Sequence, residues 1–468
     1  MPERKNSYDL PISTTTLANG TNPHSKQEEP VIKVYRRRYW MLFVFSFLSV
    51  LCGMIFPQYV SIADVNICYY DISTSTLNWT ANIFFLGYVI LVFPASYCMN
   101  YVGLRWTVIA GALSNTAACV LQFTGLSPEN FAYILVSTIF GSMSNLLVLA
   151  VPPFLAATWF PTNELSRACA AGVFGNQLGV AAGYLFSPLM ISNNCSDKAL
   201  IQQEKTTVTT ILTSVNVFWL FLVVFTFQDS PKYPPNLHQV KKQVTHSHLK
   251  TVIGMFKSLN FIMLFVMYGL MVGTYFAITT VLNNLVLRYF PHRELEIGWM
   301  GTLFIVAGLI GSMIAGTILD YTHKFKETAL CICVASLITL IIFCSLLVVK
   351  KLWVTFLTII ICGFFLTSFL PVGLEYGIEL TFPESEVISA SLLNSATMLF
   401  GFILTEITSS LLENFGQLYS NIALAIYLLI SIILTVFLTS EYKRSKNHTK
   451  EETRQPHISE ENVEKTVF

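Results

Sequence analysis

The sequence predicts an all-α membrane protein of twelve transmembrane helices arranged as two six-helix halves. Three observations carry this prediction. Of 468 residues, 53% are hydrophobic and only 12% are charged, about half the charge density of a soluble domain. Twelve apolar runs reach the roughly 20 residues that a helix needs to cross the hydrocarbon core. Two polar motifs each occur twice at nearly one offset, Asn100 matching Asp320 and Phe160 matching Phe382, as expected of an internal repeat.

The low charge content excludes most alternatives. A soluble enzyme, a disordered scaffold and a nucleic-acid binder all need more polar surface. The net charge of +1 provides no field to draw in phosphate partners. No Walker loop, nucleophile elbow or zinc-protease signature occurs, so neither ATP-driven pumping nor enzymatic chemistry is indicated. Cys331-x-Cys333 falls within an apolar run and is too short for a zinc pattern. No metal site and no cofactor are expected.

The apolar runs lie at 39–63, 79–98, 106–124, 131–157, 168–191, 208–227, 259–287, 297–319, 328–349, 352–379, 388–411 and 419–440. The segment 1–38 is polar, so the first run reads as a span and not as a cleavable signal. The polar segments 1–30 and 445–468 are expected to be disordered. The organisation that follows is a tail at 1–38, a first half at 39–227, a linker at 228–258, a second half at 259–440 and a tail at 441–468. An even number of spans puts both termini on one side. If that side is cytoplasmic, it holds 22 of the 28 Lys and Arg residues and the other side holds six. This is the positive-inside pattern. On that reading no Lys or Arg lies in a span, and Lys205 falls in an outer loop.

The repeat pairs Ser96-x-x-x-Asn100-Tyr101-Val102-Gly103-Leu104-Arg105 with Gly316-x-x-x-Asp320-Tyr321-Thr322-His323-Lys324-Phe325. It also pairs Phe160-Pro161-Thr162-Asn163-Glu164 with Phe382-Pro383-Glu384-Ser385-Glu386. Two parallel six-helix halves are the layout of major facilitator transporters. In the first motif, Gly316 and Asp320 share a helix face, where a small residue allows close helix approach and a carboxylate can meet a neighbouring helix N-terminus. Asn100, Arg105 and Asp320 are therefore candidates for a gating or structural latch. A plain tight turn is the alternative.

Several strings carry a more specific likeness. They are Val34-Tyr35-Arg36-Arg37-Arg38-Tyr39-Trp40, Phe174-Gly175-Asn176-Gln177-Leu178-Gly179, Ser230-Pro231-Lys232-Tyr233-Pro234-Pro235, Leu282-Asn283 and Leu392-Leu393-Asn394. With them the chain resembles the feline leukaemia virus subgroup C receptor family, associated with haem and with choline and ethanolamine transport. That family's choline site is an aromatic cage with a Gln. A quaternary ammonium has no N–H to donate, so aromatic faces hold it by cation–π attraction. The resemblance maps the family Gln onto Gln177, the cage Trp onto Phe56, the cage Tyr onto Phe276 beside Tyr275, and a polar position onto Met398. Phe binds cations less well than Trp, so the cage is weakened.

Other residues are weighed from their positions. Tyr268 and Tyr275 join Phe56 and Phe276 as candidates because they lie in the first and seventh spans, equivalent in the two halves. Pro57 and the Gly269–Gly273 spacing suggest local helix irregularity there. Gln177, between Gly175 and Gly179, has small neighbours that would let its amide reach a cavity or a facing helix. Glu375, Glu379 and Glu406 are intramembrane carboxylates, expensive to bury and functional by default. Glu375 and Glu379 suit a gate or structural pairing. Glu406 suits a counter-charge to a cationic substrate, or a place near the outer surface. Asp64 suits an external gate or a solvated cap. All eight His residues fall in loops or tails, which argues against a His proton relay and against a His ligand for haem.

Cys68 and Cys195 fall in outer loops, on an oxidising side, where a disulfide can form if the distance allows. Asn194-Cys195-Ser196 is a glycosylation acceptor sequence. The expected protein is a multi-pass plasma-membrane monomer with cytoplasmic termini. Its partners are the lipid bilayer and a small-molecule substrate (choline, ethanolamine or haem), and no nucleic acid. Facilitated transport of a small organic cation leads, ahead of haem export and of a receptor or sensor without flux.

Overall fold

The computed structural model describes residues 34–161, 164–193, 195, 197–233, 248–381 and 386–438, and excludes the side chains of 93–101, 165–166, 248–251, 320 and 386–387. Asn194 and the two polar tails lie outside the described residues, as do the side chains of Asn100 and Asp320. Most of Phe382–Glu386 lies outside them too.

The first span is built from α1 (Arg37–Ile55), a 3₁₀ turn at Val60–Ile62 and α2 (Ala63–Tyr70). It is followed by α3 (Thr74–Val102), α4 (Leu104–Thr124), α5 (Phe131–Leu149) with α6 (Val151–Trp159), α7 (Leu165–Met190) and α8 (Lys198–Thr226). A short helix, α9 (His248–Phe256), falls in the linker. The second half holds α10 (Leu259–Leu287), α11 (Glu294–Thr322), α12 (Phe325–Leu347), α13 (Leu352–Thr381), α14 (Glu386–Asn414) and α15 (Gln417–Phe437).

Among the described residues, eleven stretches are long and apolar enough to cross a membrane. The twelfth is α7. Its 26 residues span about 39 Å, but Asn176, Gln177 and its glycines lower its mean hydropathy.

The pairing of helices repeats between the halves. The neighbours α1·α7, α3·α5, α4·α5 and α4·α8 of the first half correspond to α10·α14, α11·α13, α12·α13 and α12·α15 of the second. Across the halves, α7 packs on α11 and α3 on α14, related by the same two-fold. The turns between the second and third helices of each half also correspond. Gly103 has φ 88° and His323 has φ 50°, both left-handed and at matching positions of the repeated motif.

Helix approach is set by small residues. On α7, a Cβ at Gly175, Gly179 or Gly183 would lie 2.6, 2.1 or 2.6 Å from the carbonyls of Ser46, Val50 and Met54 on α1. Lipid tails are as apolar as leucine, so such helices associate by close packing instead. This face belongs to α1. Gln177, two residues and about 200° round the helix, points away from it, so the glycines serve helix packing and do not clear a path for the amide.

Two expectations are corrected. At Gly269 and Gly273, α10 runs unbroken. A Cβ at Gly269 would run into the Phe400 ring of α14, and one at Gly273 would lie 2.9 Å from the Phe400 backbone carbon, so these glycines seat a ring and a neighbouring helix and do not loosen α10. At Gly316, a Cβ would meet nothing within 4 Å among the described residues, so none of the described helices approaches closely there. Arg105 ties α4 to α8 and to the start of the linker. Its guanidinium donates to the Val224 carbonyl at 3.0 Å, and its backbone N–H donates to Asp229 Oδ1 at 3.0 Å. In the second motif, Glu164 pairs with the Arg38 guanidinium at 2.9 Å, tying the start of α1 to the entry of α7.

Cys68 and Cys195 are joined by a disulfide, with Cα atoms 6.1 Å apart and a sequence separation of 127. It links the end of α2 to the segment before α8 and marks one end of the bundle. The start of α1 and the end of α15 mark the other.

This packing is testable at two points. Gly179→Leu should lower the thermal midpoint of detergent-purified protein by at least the 1–3 kcal/mol or so typical of overpacking, whereas Gly316→Ala should leave it unchanged. Fluorescence-detected size-exclusion after heating measures both. Cys68→Ser should lower the same midpoint by an amount equivalent to about 2–4 kcal/mol, and reductant should do the same to the wild-type chain.

Candidate functional site

The site begins with a backbone break. Proline lacks an N–H, and its ring clashes with the preceding helical turn. The helix α1 accordingly ends at Ile55, and Phe56–Tyr59 form turns before the 3₁₀ segment. Each polar group freed inside a membrane needs a partner. The Gln58 N–H donates to the Ile55 carbonyl at 3.4 Å and the Ser61 N–H to the Pro57 carbonyl at 2.9 Å. The Tyr59 carbonyl accepts from Asn66 Nδ2 at 2.8 Å. The Ser61 carbonyl accepts from Asn283 Nδ2, across the halves, at 2.8 Å. The Gln58 side chain forms a reciprocal amide pair with Gln122 at 3.2 and 3.1 Å.

The break carries Phe56 into an aromatic group drawn from both halves. Its ring lies 5.7 Å from Phe84 and 5.7 Å from Phe85 on α3, and 6.2 Å from Phe276 on α10. Phe276 lies 5.2 Å from Phe85 and 5.2 Å from Tyr275. Tyr275 stacks on Phe304 of α11 at 5.6 Å. Phe56 and Phe276 meet nearly edge-to-face, at 78°. The Tyr275 hydroxyl is 3.5 Å from Gln177 Oε1, the long limit of a hydrogen bond. Gln177 is half-buried.

The structure therefore brings Phe56, Phe276, Tyr275 and Gln177 together. Met398 lies at the margin, packed against Tyr88 and Leu146 of the first half. Tyr268 stands apart. It is fully buried inside the second half, packs against Gly373 and Phe369, and donates to the Leu370 carbonyl at 3.3 Å. Eight residues from Phe276, it is about 12 Å further along α10, too far to join the aromatic group.

The carboxylates sit elsewhere. Glu406 is half-buried and accepts from Asn82 Nδ2 across the α3–α14 contact. It lies five residues, about 7 Å of helix, beyond Gly401, whose Cβ position contacts Phe85 and Phe276. Glu375 is exposed and Glu379 is 3% exposed, both on α13 and both engaged with neighbours. The structure brings neither to the aromatic group. Asp64 and Glu294 come from opposite halves and accept from one Asn193 amide, at 3.0 Å for Asp64 Oδ2.

Among the described residues, side-chain hydrogen bonds cross between the halves on both sides of the aromatic group. Tyr88 of α3 is hydrogen-bonded to Asn394 of α14 toward the termini, and a larger set runs from Gln177–Tyr275 to the disulfide end. The set includes Tyr184 to the Thr279 carbonyl, Thr302 to the Ala181 carbonyl at 2.9 Å, Asn78 to Ser409, and the Asn82–Glu406 and Asn283–Ser61 contacts.

Sequence reasoning did not single out Phe84, Phe85 and Phe304. With 36 Phe in the chain, the tandem pair in the second span carried no distinguishing signal. It also placed Lys205 outside the spans. Lys205 lies two turns into α8 and is 5% exposed. The first turns of α8 are rich in Thr, Gln and charge, so composition read a helical segment as a loop.

The profile of the Major Facilitator Superfamily matches residues 39–290 and 264–466. The choline/ethanolamine transporter FLVCR2 of Homo sapiens is 33% identical over 438 residues, covering 93% of this chain and 83% of that protein. The choline/ethanolamine transporter FLVCR1 of Felis catus is 32% identical over 419 residues, covering 89% and 75%. Among solved structures, a D-xylose-proton symporter aligns with a TM-score of 0.66 at 15% identity, covering 86% of this chain and 99% of that one. The fold, the repeat and these relatives agree: the chain belongs to the major facilitator superfamily of membrane transporters and, within it, to the feline leukaemia virus subgroup C receptor family.

Proposed function

We propose that this transporter carries a small organic cation, choline or ethanolamine, by alternating access and down its gradient. The observation that supports it most is the convergence of Phe56 from one half and Phe276 and Tyr275 from the other beside Gln177. A site built between halves is reached from each side in turn as they rock. Aromatic faces attract a desolvated ammonium by about 2 kcal/mol, and the Gln177 amide can bond the substrate hydroxyl. The T-shaped contact between Phe56 and Phe276 is worth about 0.5–1.5 kcal/mol and opens to admit the cation. The names of the FLVCR1 and FLVCR2 relatives support the same substrate class. No observation in the structure favours haem, and none favours a receptor without flux.

The larger set of cross-half bonds lies at the disulfide end, which supports a route to the site past the Tyr88–Asn394 contact, from the side of the termini. The excess of Lys and Arg there supports a cytoplasmic assignment. The site then exchanges with the cytoplasm when the Tyr88–Asn394 contact releases, and the protein works as a plasma-membrane monomer. Asp64, Asn193 and Glu294 form part of the outer closure, and Glu406 supplies a negative charge near the path of the cation. Met398 lines its margin, while Asn100 and Asp320 belong to the repeated motif that latches the gate.

Uptake of labelled choline in transporter-deficient cells tests the reading. Uptake should exceed background, and Gln177→Ala or Phe276→Ala should reduce it by about ten-fold or more at equal surface abundance. Absence of uptake by surface-resident wild-type protein would sink the cation assignment. Because Trp is the better cation–π partner, Phe56→Trp should lower the choline KM about two- to five-fold. An unchanged or raised KM would remove Phe56 from the cage.

A further inference from the structure

A second cation site lies inside the protein, and the chain's own side chain fills it. The Lys205 ammonium lies 4.0 Å from the ring centroid of Tyr70, 4.6 Å from Tyr69 and 5.9 Å from Tyr59. The two nearer rings are held in place from behind. The Tyr70 hydroxyl donates to the Gly125 carbonyl at 2.8 Å and the Tyr69 hydroxyl to the Leu126 carbonyl at 2.5 Å, both just after α4. Among the described residues, no carboxylate lies within ion-pair distance of Lys205. Its conventional partner is Asn66 Oδ1 at 2.7 Å.

That bond decides how the Asn66 amide is turned. An ammonium only donates, so it requires the amide oxygen. The Asn66 NH₂ is thereby aimed the other way, at the Tyr59 carbonyl, 2.8 Å away. That carbonyl belongs to the non-helical turn that carries Phe56. Without the ammonium, the amide is free to present its oxygen to the carbonyl, and the turn would lose a donor it needs inside the membrane. The Cys68–Cys195 disulfide, two residues beyond Asn66, closes the same corner.

We propose that Lys205 is a positioning residue for the substrate site. Caged by Tyr59, Tyr69 and Tyr70, it orients Asn66 and so fixes the turn at Phe56–Tyr59. The link to substrate rests on the cation-transport reading above. The link to the turn does not.

Two measurements on the full-length chain separate these links. Amide hydrogen exchange of purified protein should show protection across 56–62 falling about ten-fold in Lys205→Met, with 325–347 unchanged. Lys205→Arg, which keeps a cationic donor, should restore most of it. In cells, Lys205→Met should raise the choline KM about ten-fold at wild-type surface abundance, with kcat within about two-fold. Should Lys205→Met fail to accumulate, Asn66→Asp answers the same question. It gives Lys205 an ion-pair partner but removes the donor to Tyr59, and should show the same loss of protection and rise in KM. Wild-type protection at 56–62 in the variant that accumulates overturns the proposal, as does lost protection with an unchanged KM. If the wild-type chain takes up no choline, the substrate reading fails, and the exchange result alone decides: lost protection supports the positioning role and wild-type protection refutes it.

Discussion

The break at Pro57 is the constraint on which the rest of the site depends. Inside a bilayer, an interrupted helix must satisfy the groups it frees from within the protein. Here Asn66 of α2 donates to the Tyr59 carbonyl and Asn283 of the other half to the Ser61 carbonyl, while Gln122 of α4 holds the Gln58 side chain. Each lies where the turn needs it, and each is itself buried. The break therefore brings together the first span, its own half and the opposite half around one short segment. Phe56 heads that segment, so the geometry of the aromatic group follows from how the backbone is satisfied.

Glycine makes the arrangement close enough to work. The stripe on α7 lets α1 approach within backbone contact, and Gly183 leaves room for the Pro57 ring, whose Cγ would be 2.6 Å from a Cβ there. In the second half, Gly269 and Gly273 do the same for Phe400 between α10 and α14. These are equivalent helix pairs under the internal two-fold, packed by the same means with different partners. Each half is thereby a tight body. The contact between the bodies combines apolar packing of α7 on α11 and α3 on α14 with side-chain bonds such as Asn82–Glu406 and Asn78–Ser409. Halves packed more tightly within than between suit a rocking motion.

The spans and the repeat were legible because they depend on composition and spacing, which burial in lipid imposes directly. Phe56, Phe276, Tyr275 and Gln177 were legible mainly through likeness to a family with a known cage. The pattern of apolar residues alone does not distinguish them, since any of 36 Phe can face lipid or core. Gly269 and Gly273 misled because glycine is used both to bend a helix and to seat a neighbour. Tyr268 misled because a shared span does not imply a shared face or depth. Lys205 was unreadable for a third reason. A charge in a Thr-rich segment resembles a loop residue until Tyr69 and Tyr70, distant in sequence, fold around it.

A cryo-electron microscopy structure of the full-length chain with choline tests the central claim most directly. The account predicts ligand density between the rings of Phe56 and Phe276, within reach of Gln177, with Phe56–Tyr59 still non-helical, Asn66 on the Tyr59 carbonyl and Asn283 on the Ser61 carbonyl. Density elsewhere in the bundle, or a continuous helix through Pro57 in the bound state, would contradict it.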